Sequence, residues 1–322
     1  MPPEARRRRI TLVFLALGAI ALVAVILFMT LGARGNWGFV LPFRGAKLAG
    51  LILVATAIAI STVMFQTVTN NRILTPSIMG FDALYALIQT TLVFFLGSMR
   101  VSAFDPRLMF LAETGLMLVF GGLLCRWLFA ATVRSLHLLL LVGIVFGIFF
   151  RSLSGFMQRI IDPTEFLILQ DRLFASFNSI DRTLLLAAAL IVAGSCVAAW
   201  RMTTRLDVLA LGREHAIALG LDHQRMVAIV LFVVILLVAV STALVGPVAF
   251  FGLLVANLAY LLMPTARHAV LLPAAAMLAV IFLVGGQVVL ERVFAFDTAL
   301  SVVIEFVGGI VFLLLVIRGA AR

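Results

Sequence analysis

Long apolar runs separated by short polar segments dominate the amino-acid sequence. The first run, residues 10–31, contains no charged residue. As a helix rising about 1.5 Å per residue, it is long enough to cross the roughly 30 Å hydrocarbon core of a bilayer. The runs are too long and too uniformly apolar for the alternating ten-residue strands of a β-barrel. The pattern therefore predicts an all-α, polytopic transmembrane helical bundle of about ten spans, at residues 10–31, 47–68, 77–97, 108–130, 136–154, 183–200, 226–244, 248–262, 270–290 and 300–317.

Local signals refine some of these boundaries. Thr75-Pro76 offers an N-cap and a first-turn proline for the third span. Gly246-Pro247 separates the seventh span from the eighth. Between the fifth and sixth spans, the segment Asp162 to Glu165 resembles a capping box and predicts an additional helix outside the bilayer core.

Composition supports a membrane protein with a single transmembrane domain over residues 1–322. The chain is 64% hydrophobic and 12% charged, whereas soluble domains are about half apolar and a quarter charged. The net charge of +10 does not indicate a nucleic-acid partner, because the basic residues are scattered through short loops between spans. The positive-inside rule produces this distribution in proteins whose surroundings are membrane lipid.

The basic cluster Arg6–Arg9 directly precedes the first span and predicts a cytoplasmic N-terminus. An even number of spans then places the C-terminus in the cytoplasm too. A cleaved signal peptide within residues 1–31 is the competing interpretation. The length of the apolar run, the lack of a small-x-small cleavage site and the later spans disfavour it.

One polar segment, residues 201–225, interrupts the apolar pattern between the sixth and seventh spans, and we call it the island. Gly212 and Gly220 predict two short helical turns, each stopped by a glycine. The residues predicted to form one apolar edge are Leu209, Ala216 and Leu219. Those predicted to face water or a partner are Arg213, Glu214 and His215. A solvated surface loop is the alternative interpretation.

The sequence lacks the residue patterns of a catalytic or cofactor site. The single lysine, Lys47, is followed by Leu48, so no phosphate-binding P-loop is present, and any ATP hydrolysis would belong to another polypeptide. Cys125 and Cys196 lie within apolar spans and support neither a disulfide framework nor a thiolate metal site. The four histidines are dispersed without metal-ligand spacing. We therefore expect no enzyme activity, no bound cofactor and no metal site in this chain.

Four ordered motifs resemble the permeases of iron-siderophore and vitamin B12 ATP-binding cassette (ABC) importers. In the island, Leu211-Gly212, Ala216 and Leu219-Gly220 match the pattern Leu-Gly-x-x-x-Ala-x-x-Leu-Gly of the family's coupling loop. The other three motifs are Gly246–Val255, Phe65-Gln66 with Asn70-Asn71 through Gly80, and Val307–Leu313.

Departures from the family pattern point to one branch. Ala256-Asn257-Leu-Ala-Tyr260 replaces the usual Pro-His-x-x-Arg, and the segment Asn71–Asp82 replaces the usual Asn-Pro-Leu-Ala block. Together with Gln170–Asn178, these variants look like the branch that imports petrobactin, anguibactin and related catechol-type siderophores.

The resemblance implies a fold, a function and a set of partners. The fold would be that of a type II ABC importer permease, in the bacterial cytoplasmic (inner) membrane. The chain would pass iron-siderophore from a periplasmic siderophore-binding protein to the cytoplasm. Its partners would be an ABC ATPase dimer that hydrolyses ATP and a second permease, either a related chain or an identical one. Heme, vitamin B12 or another metal chelate is the alternative cargo.

By the same resemblance, the island would dock on the ATPase, through Leu209, Leu211, Gly212, Arg213, Glu214, Ala216, Leu219 and Gly220. Arg44 and Lys47, which occupy the positions of a family arginine pair, and Arg292 would contact acidic residues of the binding protein. The alternative role for each of these cations is a headgroup anchor or a snorkelling side chain.

Polar residues within spans are candidates for the translocation pathway, because buried polar groups in membranes usually face a cavity or an interior. The candidates are Gln66, Asn71, Asp82, Asn257 and Glu305. Glu113 and Gln287 are further polar residues of the same kinds within spans. Helix-to-helix hydrogen bonding is the alternative role for the amides. Gly143 and Gly147 predict close helix packing. Ser61-Thr62 and Ser241-Thr242 lie in four-residue segments of similar sequence, which is a weak sign of an internal repeat.

Two other function classes were weighed against these motifs. A proton-coupled secondary transporter would use Asp82, Glu113 and Glu305 as a proton relay, but it has no need of a glycine-punctuated cytoplasmic insert. A polytopic lipid-modifying enzyme would require clustered His, Asp and Glu side chains at one interface. Neither class accounts for the four ordered motifs.

Overall fold

Helices make up the regular secondary structure of residues 3–32, 35, 37–130, 136–177, 182–293, 300–306, 309–310 and 313, the parts of the chain that the computed structural model describes. No strand occurs in these residues, as the apolar pattern predicts. The α-helices are α1 Pro3–Thr30, α2 Trp37–Thr69, α3 Phe81–Leu96, α4 Ser98–Ala103, α5 Pro106–Ala130, α6 Leu136–Gln158, α7 Pro163–Leu173, α8 Arg182–Arg201, α9 Thr203–Leu209, α10 Arg213–Ala218, α11 His223–Val245, α12 Phe251–Leu262 and α13 His268–Arg292.

The helices confirm a polytopic bundle of about ten spans. Seven of the described helices are long and apolar enough to cross a membrane, judged by length and composition: α1, α2, α5, α6, α8, α11 and α13. The shorter apolar helices α3 and α12 coincide with the predicted third and eighth spans. Residues 300–306 of the predicted tenth span are helical, and much of its remainder lies outside the described residues.

Two predicted boundaries were wrong. The second span was expected from residue 47, but α2 begins at Trp37 and continues through Pro42. The third span was expected as one helix over 77–97. Instead a 3₁₀ turn, Pro76–Met79, ends at Gly80 in the left-handed region, and α3 starts at Phe81. Thr75 holds the N-cap position of the turn, but its side chain makes no capping hydrogen bond.

The additional helix expected after Asp162 is α7. The Asp162 carboxylate accepts hydrogen bonds from the Thr164 hydroxyl at 2.6 Å and backbone N–H at 2.9 Å, and these bonds hold the pKa of Asp162 below its usual value. The capping box is incomplete, because Glu165 accepts a bond from the backbone N–H of Ser98 at 2.7 Å instead. Glu165 therefore joins α7 to the start of α4.

Helix α2 lies at the centre of the bundle. It packs against α13, α11, α8, α12 and α1. Small residues such as Ala55, Ala57 and Ala59 are fully buried on α2 and let neighbouring backbones approach closely. By contrast, most of the apolar surface of α1 is exposed, as expected for a helix that faces lipid.

The bundle has two distinct ends. At one end, α9 of the island lies beside the start of α13, α10 packs on α9, and the Arg6 guanidinium donates to the carbonyl of Pro264. We call this the island end. At the opposite end, the Arg292 guanidinium donates to the carbonyl of Leu31, where α13 and α1 finish together. The N-terminal helix therefore starts at the same end as the island.

Candidate functional site

The island forms two short helices, as the glycine spacing predicts. Helix α9 ends before Gly212 (φ 94°), and α10 ends at a turn containing Gly220 (φ 81°). After α10, the N–H of Leu221 bonds to the carbonyl of Ala216, and the N–H of Gly220 bonds to the carbonyl of Ile217. This Schellman arrangement requires a left-handed residue, which glycine adopts without strain.

The predicted apolar edge of the island was wrong in composition. Leu209 and Ala216 are buried against the rest of the protein. The apolar side chains that do face outward are Leu211, Ile217 and Leu219, which are 56%, 53% and 63% exposed. Ile217 was missed because a six-residue helix offers too few turns for its faces to be assigned by periodicity. Arg213, Glu214 and His215 are exposed, as predicted.

At the opposite end, Arg44 caps the C-terminus of α1. One of its Nη atoms donates to the carbonyls of Phe28, Met29 and Leu31, at 2.8, 3.1 and 2.9 Å. The last carbonyls of a helix have no intrahelical partner, and a cation there also interacts favourably with the negative end of the helix dipole. Arg292 donates to Leu31 as well. Both arginines thus hold α1 in place, whatever else they contact.

Lys47 departs from the expectation of an exposed docking cation. Its side chain is 9% exposed, and its Nζ lies 2.5 Å from Oε1 of Glu291 on α13. Gln287 donates to the same carboxylate oxygen at 3.1 Å. A buried ammonium needs such a partner, because an unpaired charge in this environment is costly. The structure therefore places Lys47 in an internal ion pair and away from the surface.

Three of the predicted pathway amides gather around one loop at the island end. Gln66 and Asn257 both donate to the carbonyl of Arg72, at 2.7 and 3.2 Å. Asn71 accepts a bond from the N–H of Ile73 at 2.9 Å and so stabilises the same loop. Gln66 and Asn257 therefore connect α2 and α12 through the loop, which is the helix-bridging role weighed for these amides.

Asp82 lies elsewhere, at a small polar cavity between α2, α3 and α11. The cavity lining includes Ser61 and Thr62 from α2 and Ser241 and Thr242 from α11. The two serines make equivalent bonds, to the carbonyls of Ile58 at 3.1 Å and Val238 at 3.0 Å. The two segments of similar sequence, one on α2 and one on α11, therefore face the same cavity.

Glu305, on the helical residues 300–306, lies near this cavity. Its carboxylate accepts a hydrogen bond from the backbone of Ala249 and is close enough to interact electrostatically with Asp82. The structure therefore places Asp82 and Glu305 within electrostatic range of each other, whereas the three amides around Arg72 form a separate group.

A further polar pair was not predicted as a unit. Glu113 on α5 is buried, and its Oε1 accepts from Nε2 of Gln89 on α3 at 2.6 Å. Both line a larger cavity near the opposite end, with Tyr85 and Arg172. A glutamine inside an apolar span was the available signal for Gln89, and its partner could not be assigned without the fold.

These arrangements suit contact and passage better than covalent chemistry. In the parts of the chain that the structure describes, no three His, Cys, Asp or Glu side chains lie close enough together to hold a metal ion. What the described residues do present is a short exposed helix with exposed apolar side chains on and beside it, and polar cavities within an apolar bundle.

Comparison with known sequences gives a consistent family. The profile of the FecCD transport family matches residues 10–318. The petrobactin import system permease protein YclO of Bacillus subtilis (strain 168) is 48% identical over 300 residues, which cover 93% of this chain and 94% of the relative. The petrobactin import system permease protein FatC of Bacillus anthracis is 36% identical over 324 residues, covering 99% and 91%.

Comparison with solved structures gives the same fold. A metal-chelate type ABC transporter in an inward-facing conformation superposes with a TM-score of 0.83. The superposition covers 96% of this chain and 99% of that chain, at 22% sequence identity. This chain therefore shares the fold of the matched chain of that transporter.

Proposed function

Because this chain belongs to the FecCD transport family, we propose that it is the transmembrane permease of an ABC importer for iron-siderophore complexes. It is a multi-pass membrane protein that passes its cargo across the bilayer and performs no covalent chemistry. The near end-to-end similarity to two petrobactin import permeases carries this proposal. Petrobactin, or a siderophore with the same catecholate groups, is the cargo that these relatives indicate.

ATP hydrolysis is assigned to a separate subunit, because the sequence carries no P-loop. We assign the docking of that subunit to the island, centred on α10. Three features support this: α10 is exposed, it carries Ile217 and is flanked by Leu211 and Leu219, and it stands on a polar segment outside the spans. An apolar centre with a polar rim is the usual composition of a protein interface. Leu209 and Ala216, which are buried, then support the docking surface by packing it against the rest of the protein.

The remaining partners follow from the architecture of such importers. A second permease, related or identical, would complete the pathway, and an extracytoplasmic siderophore-binding protein would deliver the cargo. We assign binding-protein docking to the end opposite the island, where Arg44 and Arg292 lie. Both chain termini and the island would face the cytoplasm, since Arg6–Arg9 precede the first span.

We assign the pathway to two of the polar groups found within the bundle. Asp82 borders the Ser/Thr cavity with Glu305 in electrostatic range of it, and Gln66, Asn71 and Asn257 surround the loop at Arg72. These groups occupy different levels along the bundle. A cargo moving from the opposite end would pass the carboxylates before it reached the amides.

The proposal is tested by reconstituting this permease in proteoliposomes with its partner permease, ATPase and binding protein. We expect uptake of ⁵⁵Fe-petrobactin that requires ATP and stops when the ATPase carries a hydrolysis-dead substitution. Uptake that continued with the inactive ATPase under a proton gradient would instead indicate a secondary transporter. Cobalamin or heme uptake in place of ferric petrobactin would replace the proposed cargo, and relatives named for vitamin B12 import make cobalamin the relevant comparison.

A further inference from the structure

A buried histidine joins the island to two membrane helices. His268 is the first residue of α13, and its side chain is 2% exposed. Its Nδ1 lies 2.6 Å from Oδ1 of Asp207, which belongs to α9 of the island. Its Nε2 lies 2.7 Å from the hydroxyl of Thr67 near the end of α2. One side chain thus contacts three helices.

The contacts on either side of the ring are reinforced. The same Oδ1 of Asp207 accepts a second bond, from the backbone N–H of His268 at 2.7 Å. A carboxylate from the island therefore satisfies an otherwise unpartnered donor in the first turn of α13. On the other side, the Thr67 hydroxyl lies 2.8 Å from the carbonyl of Val63 one turn back along α2.

This network persists in either protonation state of the ring. With a neutral imidazole carrying its proton on Nδ1, the Thr67 hydroxyl donates to Nε2. With an imidazolium, both ring nitrogens donate, and the hydroxyl turns to the carbonyl of Val63. Asp207 accepts from Nδ1 in both cases. The position of the ring is therefore fixed by geometry.

The position of this network within the fold gives it a mechanical consequence. Among the described helices, α10 packs mainly on α9 and α11, whereas α9 packs on α13 and α2. The helices α13 and α2 make the most extensive helix pair of the bundle. Further along α2 lie Gln66, at the amide group, and Thr62, at the Asp82 cavity.

We propose that His268, held by Asp207 and Thr67, is a positioning residue that couples displacement of the island to α2 and α13. Movement imposed on α10 passes to α9, and the Asp207–His268–Thr67 network passes it to the helices that carry the pathway groups. This inference rests on the proposed function, since it gives the island's docking a consequence inside the membrane. The histidine contacts neither the cargo nor ATP.

The test compares Asp207→Ala and His268→Ala with Asp222→Ala in the reconstituted importer. Asp222 is a matched control because it also caps a helix at the island end, and its carboxylate accepts from the N–H of Arg225 at 3.1 Å within that same helix. We expect Asp207→Ala and His268→Ala to bind the ATPase normally and to hydrolyse ATP. Siderophore uptake per ATP should fall about tenfold, as for residues within one hydrogen-bonding network. Asp222→Ala should keep the wild-type ratio.

Two further variants distinguish coupling from folding. Asp207→Asn retains an oxygen that can accept both bonds, so it should restore most of the uptake per ATP. The double variant Asp207→Ala/His268→Ala should be no worse than either single one, because all three lose the same connection. An unchanged ratio in the alanine variants would overturn the proposal. So would a parallel loss of ATPase binding, which would make the pair part of the docking surface.

A measurement on the permease pair alone separates this inference from the proposed function. Hydrogen exchange of the α9 amides should accelerate at least about tenfold in Asp207→Ala and His268→Ala and remain unchanged in Asp222→Ala. If α9 exchanged faster in these two variants as expected, but the wild type showed no ATP-dependent uptake, the proposed function would fail while the attachment of α9 stood. If α9 exchanged equally in all variants, the attachment itself would be wrong.

Discussion

Glycine contacts show how closely the chain approaches itself inside the bundle. A Cβ atom built on Gly143 would lie 2.9 Å from the Cα of Met79, and one built on Gly147 would lie 3.2 Å from the Cα of Gly80. These are backbone atoms, which cannot move aside as a flexible side chain would. The predicted close packing of Gly143 and Gly147 is confirmed, and its partner is the turn before α3.

Gly143→Ala should therefore destabilise the protein by about 1–3 kcal/mol, the usual cost of overpacking. Gly155→Ala on the same helix is the control, because a Cβ at Gly155 would meet nothing within 4 Å. Alanine should there be neutral or stabilising by up to about 1 kcal/mol. Thermal unfolding of the two purified variants in one detergent measures the difference. Equal midpoints would contradict the contact.

Residue types in the sequence indicated which polar groups were unusual but not whom they would contact. Asp82 and Glu305 were predicted as pathway carboxylates within spans, and the structure places them within electrostatic range of each other. Lys47 was predicted to dock the binding protein, because it occupies the position of a family arginine. Its partner in the structure, Glu291, lies 244 residues further along the chain. No local pattern connects residues at that separation, so the pairing required the fold.

At the level of elements, the island makes the sharpest prediction. Ile217→Glu places a charge at the centre of the proposed docking surface and should weaken binding of the ATPase dimer at least tenfold, the loss of about 1.4 kcal/mol. The folded permease should be little affected, since Ile217 is 53% exposed. Affinity of the purified ATPase for the detergent-solubilised permease is the measurement.

Ile160→Glu is the control for that substitution. Ile160 is 57% exposed and follows α6 at the opposite end, so the same chemical change is made at a similar exposure. Its ATPase affinity should match the wild type. Comparable weakening by both variants would argue against docking at α10. Ala216 is unsuitable for this test, because it is fully buried and a larger residue there would disturb the island itself.

Apolar runs predicted the elements well where the interruption between two runs was strongly polar. The island is such a case, and α8 and α11 end and begin close to their expected positions. The signal failed where polar residues lie inside a helix. Arg44 and Lys47 suggested a loop before residue 47, yet both lie within α2 and find partners in neighbouring helices.

At the level of the whole molecule, the two ends of the bundle predict a labelling pattern. In a background with Cys125 and Cys196 replaced by alanine, cysteines at Arg8 and His215 should react together with an impermeant maleimide. A cysteine at Ile160 should react from the other face. In intact cells only Ile160→Cys should be labelled, because the island end is proposed to be cytoplasmic. Joint labelling of Arg8→Cys and Ile160→Cys would contradict this topology.

The fold class and the family could be predicted from the sequence, because both depend on features of short, continuous segments. Long apolar runs give spans, and ordered motifs such as Leu211–Gly220 give the relationship to other permeases. The network of Asp207, His268 and Thr67 was inaccessible for the opposite reason. Asp207 and Thr67 lie 61 and 201 residues from His268 along the chain. The three residues come together only when α2, α9 and α13 are packed.

The ion pair between Lys47 and Glu291 also has a consequence for biosynthesis. Glu291 is made 244 residues after Lys47, and at about 5–20 residues per second the delay is roughly 12–50 s. Throughout that interval the ammonium has no carboxylate, and its long stem lets it reach the membrane surface. The ion pair that joins α2 to α13 can therefore form only after the last turn of α13 has been synthesised. A chain released by termination before Glu291 would lack the carboxylate that contacts the Lys47 ammonium in the folded protein.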